Sequence, residues 1–314
     1  MSSAAVTPDL VIEHRAPIPT WFGVGGGADR LARPRTTAEL RRCLEIDPGL
    51  RVLGDGANLL VDDDGVGDLV VSLAAPQFTR CEIDPASGVV LAGAGVKLPS
   101  LINRTTDAGL AGLETLAGFP ATIGGAVVMN AGGKYGEIAD HLVRVWAVDR
   151  SGREHVLERS SIGFGYRTSG LNDLIVTAAE FQLSPDDPGR LKSVKREVME
   201  YKRQTQPLAE NSAGCCYKNP TLAADLRLPD TEGGAGQFAR GQRVSAGLLI
   251  DRAGCKGMRL GSAQVSHQHG NFITADKGGK ARDVILLIDR VAARVRDEFG
   301  VELQTEVVIW RRTP

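Results

Sequence analysis

The sequence predicts an α/β (α+β) protein of two or three lobes, on three observations. Its 314 residues exceed what a single hydrophobic core usually holds. Short β-branched runs lead into glycine loops and return as strands, with helical stripes between them. Glycine, at 38 residues, is about 12 % of the chain against a usual ~7 %, which calls for many turns and close backbone approaches.

In chain order, Thr36-Thr37-Ala38-Glu39 reads as a capping box opening a short helix through Leu40, Cys43 and Leu44. Arg51-Val52-Leu53 is a strand running into Gly54-Asp55-Gly56-Ala57-Asn58-Leu59-Leu60-Val61, and Leu69 to Leu73 is the next strand, after the acidic turn Asp62 to Gly65. Val89 to Ala92 forms another strand, and Leu98 to Gly109 a helix with Pro99 in its first turn. Residues 118 to 136, GFPATIGGAVVMNAGGKYG, hold six glycines and almost no charge, too apolar for a solvent loop and too glycine-rich for a plain helix. Val143 to Val148 and His155 to Leu157 flank the hairpin signal Asp149-Arg150-Ser151-Gly152, and Leu174 to Phe181 is a further strand. Pro188 to Arg203 carries a helical face of Leu191, Val194, Val198 and Tyr201, with Pro207 beyond its end and a domain boundary near there. Thr221 to Arg243 reads as a loop able to move over the site. Arg282 to Phe299 is a long helix with Val284, Leu287, Val291 and Val295 on one stripe and Gly300 as its cap, and Val301 to Trp310 returns as a strand carrying Glu306.

Composition narrows the function. Lys plus Arg number 37 against 38 Asp plus Glu, so no global field draws in nucleic acid or an anionic membrane, whereas local basic clusters suit a phosphorylated small molecule. No apolar run is long enough to span a bilayer and the first residues lack a signal-peptide pattern, so a cytoplasmic location is expected. The five cysteines, Cys43, Cys81, Cys215, Cys216 and Cys255, show no C-x-x-C spacing, which points to reduced thiols and no metal centre. His267-Gln268-His269 lacks the further ligands a metal would need. Cys215 and Cys216 are adjacent, and a disulfide between neighbours strains the backbone, because bridged cysteines need a longer Cα separation than one peptide step.

Several stretches can carry chemistry, each with a plainer alternative. Gly54 to Asn58 can wrap a pyrophosphate with converging N–H groups, or serve as an ordinary turn at a strand end. In Gly118 to Gly132, Ile123 and Val127 suit a packed crossing, while Asn130 is an amide that needs partners when buried. Arg167 lies among small and apolar residues from Ile162 to Ser169, where its fork suits a carboxylate ligand or a surface ion pair. Glu306 is either a site residue or an exposed position on an alternating strand. Cys215 is a reactive thiol, half of a redox pair with Cys216, or a small buried hydrophobe; Cys216 is read as the last of these.

Taken in order, the blocks Thr20 to Gly26, Gly54 to Leu60, Gly112-Leu113-Glu114 through Asn130-Ala131-Gly132, Gly165-Tyr166-Arg167-Thr168-Ser169, Ala213 to Pro220 and Glu302 to Val307 resemble the UDP-N-acetylenolpyruvoylglucosamine reductases over nearly the whole chain. The resemblance implies a two-lobed FAD-binding fold of the vanillyl-alcohol-oxidase type plus a C-terminal α+β substrate domain. Its lobes would be 1–80 and 81–206 for FAD, 207–300 for substrate, and a C-terminal strand, 301–314, carrying Glu306. It implies NADPH-dependent, FAD-mediated reduction of UDP-N-acetylglucosamine enolpyruvate to UDP-N-acetylmuramate for peptidoglycan synthesis, by a monomer or weak oligomer with small-molecule partners only. No motif dedicated to the nicotinamide is recognisable. FAD contacts are expected from Gly54, Asp55, Gly56, Ala57, Asn58, Leu59, Gly118, Gly124, Gly125, Asn130, Ala131 and Gly132.

Where relatives often carry Gly-Ser, this chain has Asp55 and Ala57, so a hydroxyl is missing and a carboxylate added, a difference that bears on FAD affinity. In the family pattern Gly-Ser-x-Phe-Lys-Asn-Pro the serine is the proton donor; alignment on Gly214 and Lys218-Asn219-Pro220 places Cys215 there, a substitution also known in related members. A thiol, with its pKa near ~8.5, is mostly protonated at neutral pH and a stronger acid than an alcohol. Arg167 and Glu306 complete the catalytic set. Tyr166, Lys218, Asn219, Arg203, Lys256 and His269 are the substrate-binding candidates, with Ser266 and Asn271 as further ones. Only Gly170 to Asp173 separates Ser169 from the next strand, as in the shorter members without a lid tyrosine. The rival functions are another FAD oxidase or dehydrogenase on this fold, or a non-catalytic flavin-binding thiol sensor.

Overall fold

Two sheets of different order carry the first of two units into which the chain divides; the computed structural model describes residues 10–228 and 236–312. This unit takes the described parts of Met1–Pro17, together with Ala28–Asp55 and Gly67–Val198. Its four-stranded sheet has the order Ile12–Ala16, Ala28–Ala32, Val66–Ser72, Arg51–Leu53, antiparallel at the first pair and parallel at the last. The five-stranded sheet, Glu154–Glu158, Leu142–Asp149, Leu174–Gln182, Val89–Gly93, Cys81–Asp84, is antiparallel throughout. Its hairpin turns where expected, because the Asp149 carboxylate accepts the N–H groups of Ser151 (2.9 Å) and Arg153 (3.0 Å) and Gly152 supplies a φ of +84°. Leu40, Leu44, Leu69, Leu101, Val145 and Phe181 lie in the common core.

The helix Thr37–Ile46 starts at Thr36, whose hydroxyl accepts the Glu39 N–H at 3.2 Å. The reciprocal half of the expected capping box is redirected. Glu39 takes the Arg35 N–H at 2.7 Å and the Arg35 guanidinium, a charge-assisted pair that outcompetes a single neutral bond to Thr36, and these contacts hold its carboxyl below the usual range. The helix Leu98–Asp107 begins with Pro99 in place of a side-chain cap.

The second unit takes Ile18–Gly27, Gly56–Val66 and the described parts of Met199–Pro314, so the boundary falls inside the helix Pro188–Thr205. It holds a three-stranded antiparallel sheet, Arg259–Leu260, Ala263–Val265 and Ile273–Ala275, with the helices Ala246–Arg252 and Ala281–Phe299. Val284, Leu287, Ile288, Val291 and Val295 bury one stripe of the long helix in a core shared with Phe22, Leu60 and Tyr217. Gly300, at φ +66°, ends that helix and donates its N–H to Arg296 at 2.8 Å. In the tract from Thr221 to Arg243, Leu226–Arg227 pairs with Gln237–Phe238, and residues 229–235 lie outside the described residues.

The strand expected over Val301 to Trp310 is confined to Val308–Trp310, parallel to Leu59–Val61. Glu306 precedes it. The stretch before the strand has another partner: Lys218 N–H donates to Gln304 (2.8 Å) and Glu306 N–H to Cys216 (2.8 Å), so the chain changes neighbours between Glu306 and Val308. The acidic turn also has a use invisible in sequence. The Asp63 carboxylate accepts the N–H groups of Ala281 (2.8 Å) and Arg282 (3.0 Å), capping the long helix, whose own flanking Lys280 offers no side-chain cap. Asp63→Ala is expected to cost about 1 kcal/mol, read as a lower urea midpoint, and Asp63→Asn less.

Candidate functional site

In the first unit three remote segments converge on the glycine block. Thr122 starts the short helix Ile123–Val128 and accepts the Gly125 N–H at 3.4 Å, while Ile123 and Val127 are buried in the core. Residues 94–98 run beside it: Ile123 N–H donates to Val96 (2.9 Å), Gly124 N–H to Ala94 (2.9 Å) and Leu98 N–H to Ala121 (2.8 Å). A Cβ at Gly124 would stand 3.0 Å from the Ala94 Cβ, and one at Gly54 would stand 2.9 Å from the Thr122 hydroxyl, so glycine lets these backbones close up. Asp55 is ion-paired with Lys97, whose backbone bridges to Thr122. Gly118 takes φ +79°, Ala131 N–H donates to Ala126 at 2.8 Å, and Gly132 pairs with Glu137.

Asn130 is fully buried, at 0 % exposure, with φ +45°. Its Nδ2 donates to the Gly165 carbonyl at 2.9 Å, and its Oδ1 has no hydrogen-bond partner among the described residues. A buried acceptor left without a donor costs free energy. An N–H on the edge of a bound ring supplies that donor, so this position fits the isoalloxazine of FAD. The turn it reaches carries Tyr166 and Arg167. Gly165 N–H donates to Thr168 (2.9 Å), Thr168 N–H to Gly165 (3.2 Å), and the Ser169 hydroxyl to the Val128 carbonyl (2.8 Å). Thus Asn130 and Ser169 staple the turn to the glycine block. Arg167 adopts φ +58°, with its guanidinium 5.4 Å from the Tyr166 ring. Asn130 and Arg167 are two of three non-glycine residues in left-handed backbone among the described residues, a conformation that concentrates at functional positions.

The second unit assembles the other candidates around residues 215–219. Cys215 bridges to Phe272 on one side, and Tyr217 bridges to Thr305 on the other. The Cys216 carbonyl accepts the N–H groups of Glu306 (2.8 Å) and Val307 (3.4 Å), which sets Glu306 beside the cysteine segment despite their distance in sequence. Cys215 and Glu306 are both partly exposed, whereas Cys216 is buried at 1 % exposure. Burial pushes the Cys216 thiol up to about 12, which keeps it protonated. Tyr217 is buried, and its hydroxyl donates to the Ile288 carbonyl at 2.5 Å.

The remaining predicted residues take defined places in this unit. Gly56, at φ +65°, packs so that a Cβ would run into the Pro19 carbonyl, and Ala57 follows it. Asn58 donates to the Glu306 carbonyl (3.0 Å) and accepts the Val308 N–H (3.0 Å), and Leu59 is in register with Val308. Asn219 Oδ1 accepts the Ala246 N–H at 2.9 Å, at the start of a helix capped by Ser245. Lys218 is partly exposed next to it. Lys256 pairs with Asp251 at 3.0 Å, and Arg203, exposed, lies 3.5 Å from Glu200. His269 stacks edge-on against Phe272, its Nδ1 accepts the Asn271 N–H at 3.2 Å, and burial, aided by the Lys256 charge, lowers its pKa, which favours the neutral ring. Ser266 caps a local turn by accepting the Gln268 N–H at 3.2 Å. Sequence reasoning passed over Lys97, Thr122 and Ser169; Thr122 alone had a signal, as a helix cap after Pro120-Ala121 and before an apolar run.

Fold and site together define a flavin-binding protein with a distinct C-terminal domain. A family model described as an FAD binding domain matches residues 28–158, and one described as the C-terminal domain of UDP-N-acetylenolpyruvoylglucosamine reductase matches residues 206–310. A UDP-N-acetylenolpyruvoylglucosamine reductase of Moorella thermoacetica is 38 % identical over 296 residues, covering 93 % of this chain and 90 % of its own. One of Bradyrhizobium sp. is 35 % identical over 323 residues, with 98 % and 97 % covered. The crystal structure of UDP-N-acetylenolpyruvylglucosamine reductase (MurB) from Thermus caldophilus superposes with a TM-score of 0.78 at 38 % identity, over 96 % of this chain and 100 % of that one. The chain belongs to the UDP-N-acetylenolpyruvoylglucosamine reductase family.

Proposed function

We infer that this chain is an FAD-dependent oxidoreductase that uses NADPH to reduce UDP-N-acetylglucosamine enolpyruvate to UDP-N-acetylmuramate in peptidoglycan precursor synthesis. The observation that carries this is family membership along both domains; the Glu306 N–H bonded to the Cys216 carbonyl, next to the Cys215 that the family pattern suggests as proton donor, supports the reading. When bound, FAD would supply the hydride chemistry that links NADPH to the enolpyruvyl double bond.

This chain's residues supply the rest. In the net reaction the carbon–carbon π bond is lost, one carbon gains hydride and its neighbour gains a proton. The Cys215 S–H bond provides that proton, and the thiolate regains one from solvent. Arg167 holds the substrate carboxylate, into which charge spreads as the neighbouring carbon becomes nucleophilic. Glu306 assists at the carbon that is protonated. Asn130 and the glycines Gly54, Gly118, Gly124, Gly125 and Gly132 hold FAD, and Tyr166, Lys218, Arg203, Lys256 and His269 bind the sugar nucleotide. Asn58 and Asn219 contribute to FAD and to the sugar nucleotide in turn, while the Asn58 Nδ2 also holds the Glu306 carbonyl and the Asn219 Oδ1 the start of the helix Ala246–Arg252. A thiol sensor would need a reactive pair, and buried, protonated Cys216 does not support it. No disulfide joins the five cysteines, and no helix among the described residues is long and apolar enough to cross a membrane; both are compatible with a cytoplasmic location.

The test is anaerobic reduction with one equivalent of NADPH, then addition of UDP-N-acetylglucosamine enolpyruvate while the flavin band is followed. Prompt return of the band with formation of UDP-N-acetylmuramate is expected, and a band that the enolpyruvyl sugar cannot restore overturns the assignment.

The Asp55–Lys97 pair gives a separate expectation for cofactor affinity. Removing the cation in Lys97→Met leaves the Asp55 carboxylate uncompensated at a diphosphate loop. FAD binding to apoprotein, read by fluorescence quenching, should weaken by roughly twofold to fivefold, the scale of a half-exposed charge pair. Adding Asp55→Ser should recover it. Equal affinity in all three proteins would place the pair away from the diphosphate.

A further inference from the structure

Glu306 meets the cysteine segment through its main chain, and the peptide that follows it has one firm hold. Glu306 N–H donates to the Cys216 carbonyl at 2.8 Å, but the next N–H, that of Val307, reaches the same oxygen only at 3.4 Å, a weak bond. The carbonyl of that peptide, the Glu306 oxygen, is taken by the Asn58 Nδ2 at 3.0 Å. Without Asn58 the peptide between Glu306 and Val307 would be free to tilt, carrying the Glu306 side chain with it.

We propose that Asn58 is a positioning residue that couples occupancy of the FAD site to the placement of Glu306. Asn58, Cys216 and Glu306 all lie in the second unit. Asn58 projects from a braced loop: Trp21 N–H donates to the Gly56 carbonyl at 3.1 Å, and the Asn58 carbonyl accepts the Val308 N–H at 3.0 Å. Its side chain is committed at one end only. Asn58 is partly exposed, and its Oδ1 accepts no hydrogen bond among the described residues. Asn271 is the contrast: expected from sequence to face the nucleotide, it is buried, accepts the Tyr217 N–H at 2.9 Å and donates to the Tyr217 carbonyl at 2.8 Å, so both ends of its amide serve the main chain. A carbonyl only accepts, so the N–H end of Asn58 faces Glu306 and the oxygen end is left for a ligand. That oxygen takes a hydroxyl, which the sugar chains of FAD offer and its ionised diphosphate does not. A bond there fixes the plane of the amide, and the planar amide passes the constraint to its Nδ2 donor and so to Glu306.

The coupling rests on the proposed reading that the loop around Asn58 meets FAD, and the experiment separates the two. Amide hydrogen exchange of the full chain is followed at Val307 by mass spectrometry with electron-transfer fragmentation, in apoprotein and with saturating FAD, for wild type, Asn58→Asp and Asn58→Ala. Flavin fluorescence quenching establishes that each sample is loaded, and the Cys216 amide, bonded to the Asn271 carbonyl, is the reference for general stabilisation. In wild type, FAD should slow exchange at Val307 relative to Cys216 by roughly threefold to tenfold, the scale of one hydrogen bond. Asn58→Asp keeps an acceptor for a ligand hydroxyl but turns an oxygen toward the Glu306 carbonyl, and should bring that factor close to one. Asn58→Ala should do the same; the aspartate variant carries the test if the alanine variant does not fold.

In single turnovers at saturating FAD, the rate of reoxidation by the enolpyruvyl sugar, divided by the rate of reduction by NADPH, should fall in Asn58→Asp by roughly tenfold or more, since displacing a reacting group by about 1 Å costs up to about 10²-fold. Equal slowing at Val307 in loaded wild type and loaded Asn58→Asp overturns the coupling, as does a loaded wild type in which FAD changes nothing there or an unchanged ratio of the two rates. A loaded wild type that shows the protection yet is not reoxidised by the enolpyruvyl sugar upholds the coupling and overturns the reductase reading. A wild type that takes up no FAD overturns both.

Discussion

Cys215→Ala is expected to bleach with NADPH at the wild-type rate and then to fail in returning the flavin band when UDP-N-acetylglucosamine enolpyruvate is added, with single-turnover reoxidation down by about 10²–10⁴-fold. The step lost is delivery of a proton to carbon, which the thiol performs and a methyl group cannot. Cys215→Ser should keep substantial turnover, because an alcohol occupies the same position with an exchangeable proton. Cys216→Ala should behave like wild type, since that thiol is buried and held protonated in the core. If the Cys215→Ala protein reduced the enolpyruvyl group as fast as wild type, the proton would have to come from elsewhere, with Glu306 the next group to test.

The second large effect is at Arg167. Arg167→Met should lower kcat/KM for the enolpyruvyl sugar by about 10²–10³-fold, the usual loss for one charge-stabilising donor. Arg167→Lys should recover only part of it, because an ammonium lacks the planar fork that engages a carboxylate at two points. The bonds made by the neighbouring residues Gly165, Thr168 and Ser169, which hold the left-handed backbone at 167, are present in both variants, so the turn is expected to persist. Steady-state kinetics with a thermal melt of each variant decides this; activity of Arg167→Met within threefold of wild type would remove Arg167 from the catalytic set.

The regular elements were legible where local chemistry and packing agree. The long helix shows an apolar stripe ended by glycine, the hairpin shows Asp149 and Gly152, and Thr36 announces a helix start. The region before Val308 was not legible, because an alternating apolar pattern does not say with which segment the chain will pair. The site was legible as a set of residue types and ambiguous in their use. Asn58, Asn130, Asn219 and Asn271 are alike in sequence, yet Asn130 alone of the four keeps a buried oxygen without a partner among the described residues. An amide serves a ligand and a main chain equally well, and only the fold decides which. Glu39 shows the same limit: the box residues were present, but the adjacent Arg35 drew the carboxylate away.

The parallel pair of Leu59–Val61 with Val308–Trp310 has a consequence for biosynthesis. A ribosome adding about 5–20 residues per second finishes the early strand many seconds before its partner emerges. During that interval Leu60 and Phe22, destined for the second core, have no finished core to enter, and the strand is an unpaired edge open to other chains. The second unit therefore closes only late in translation. A nascent chain stalled before Val308 should be the species that chaperones hold, and truncation just before Val308 should harm yield in the cell more than the length of that short strand would suggest.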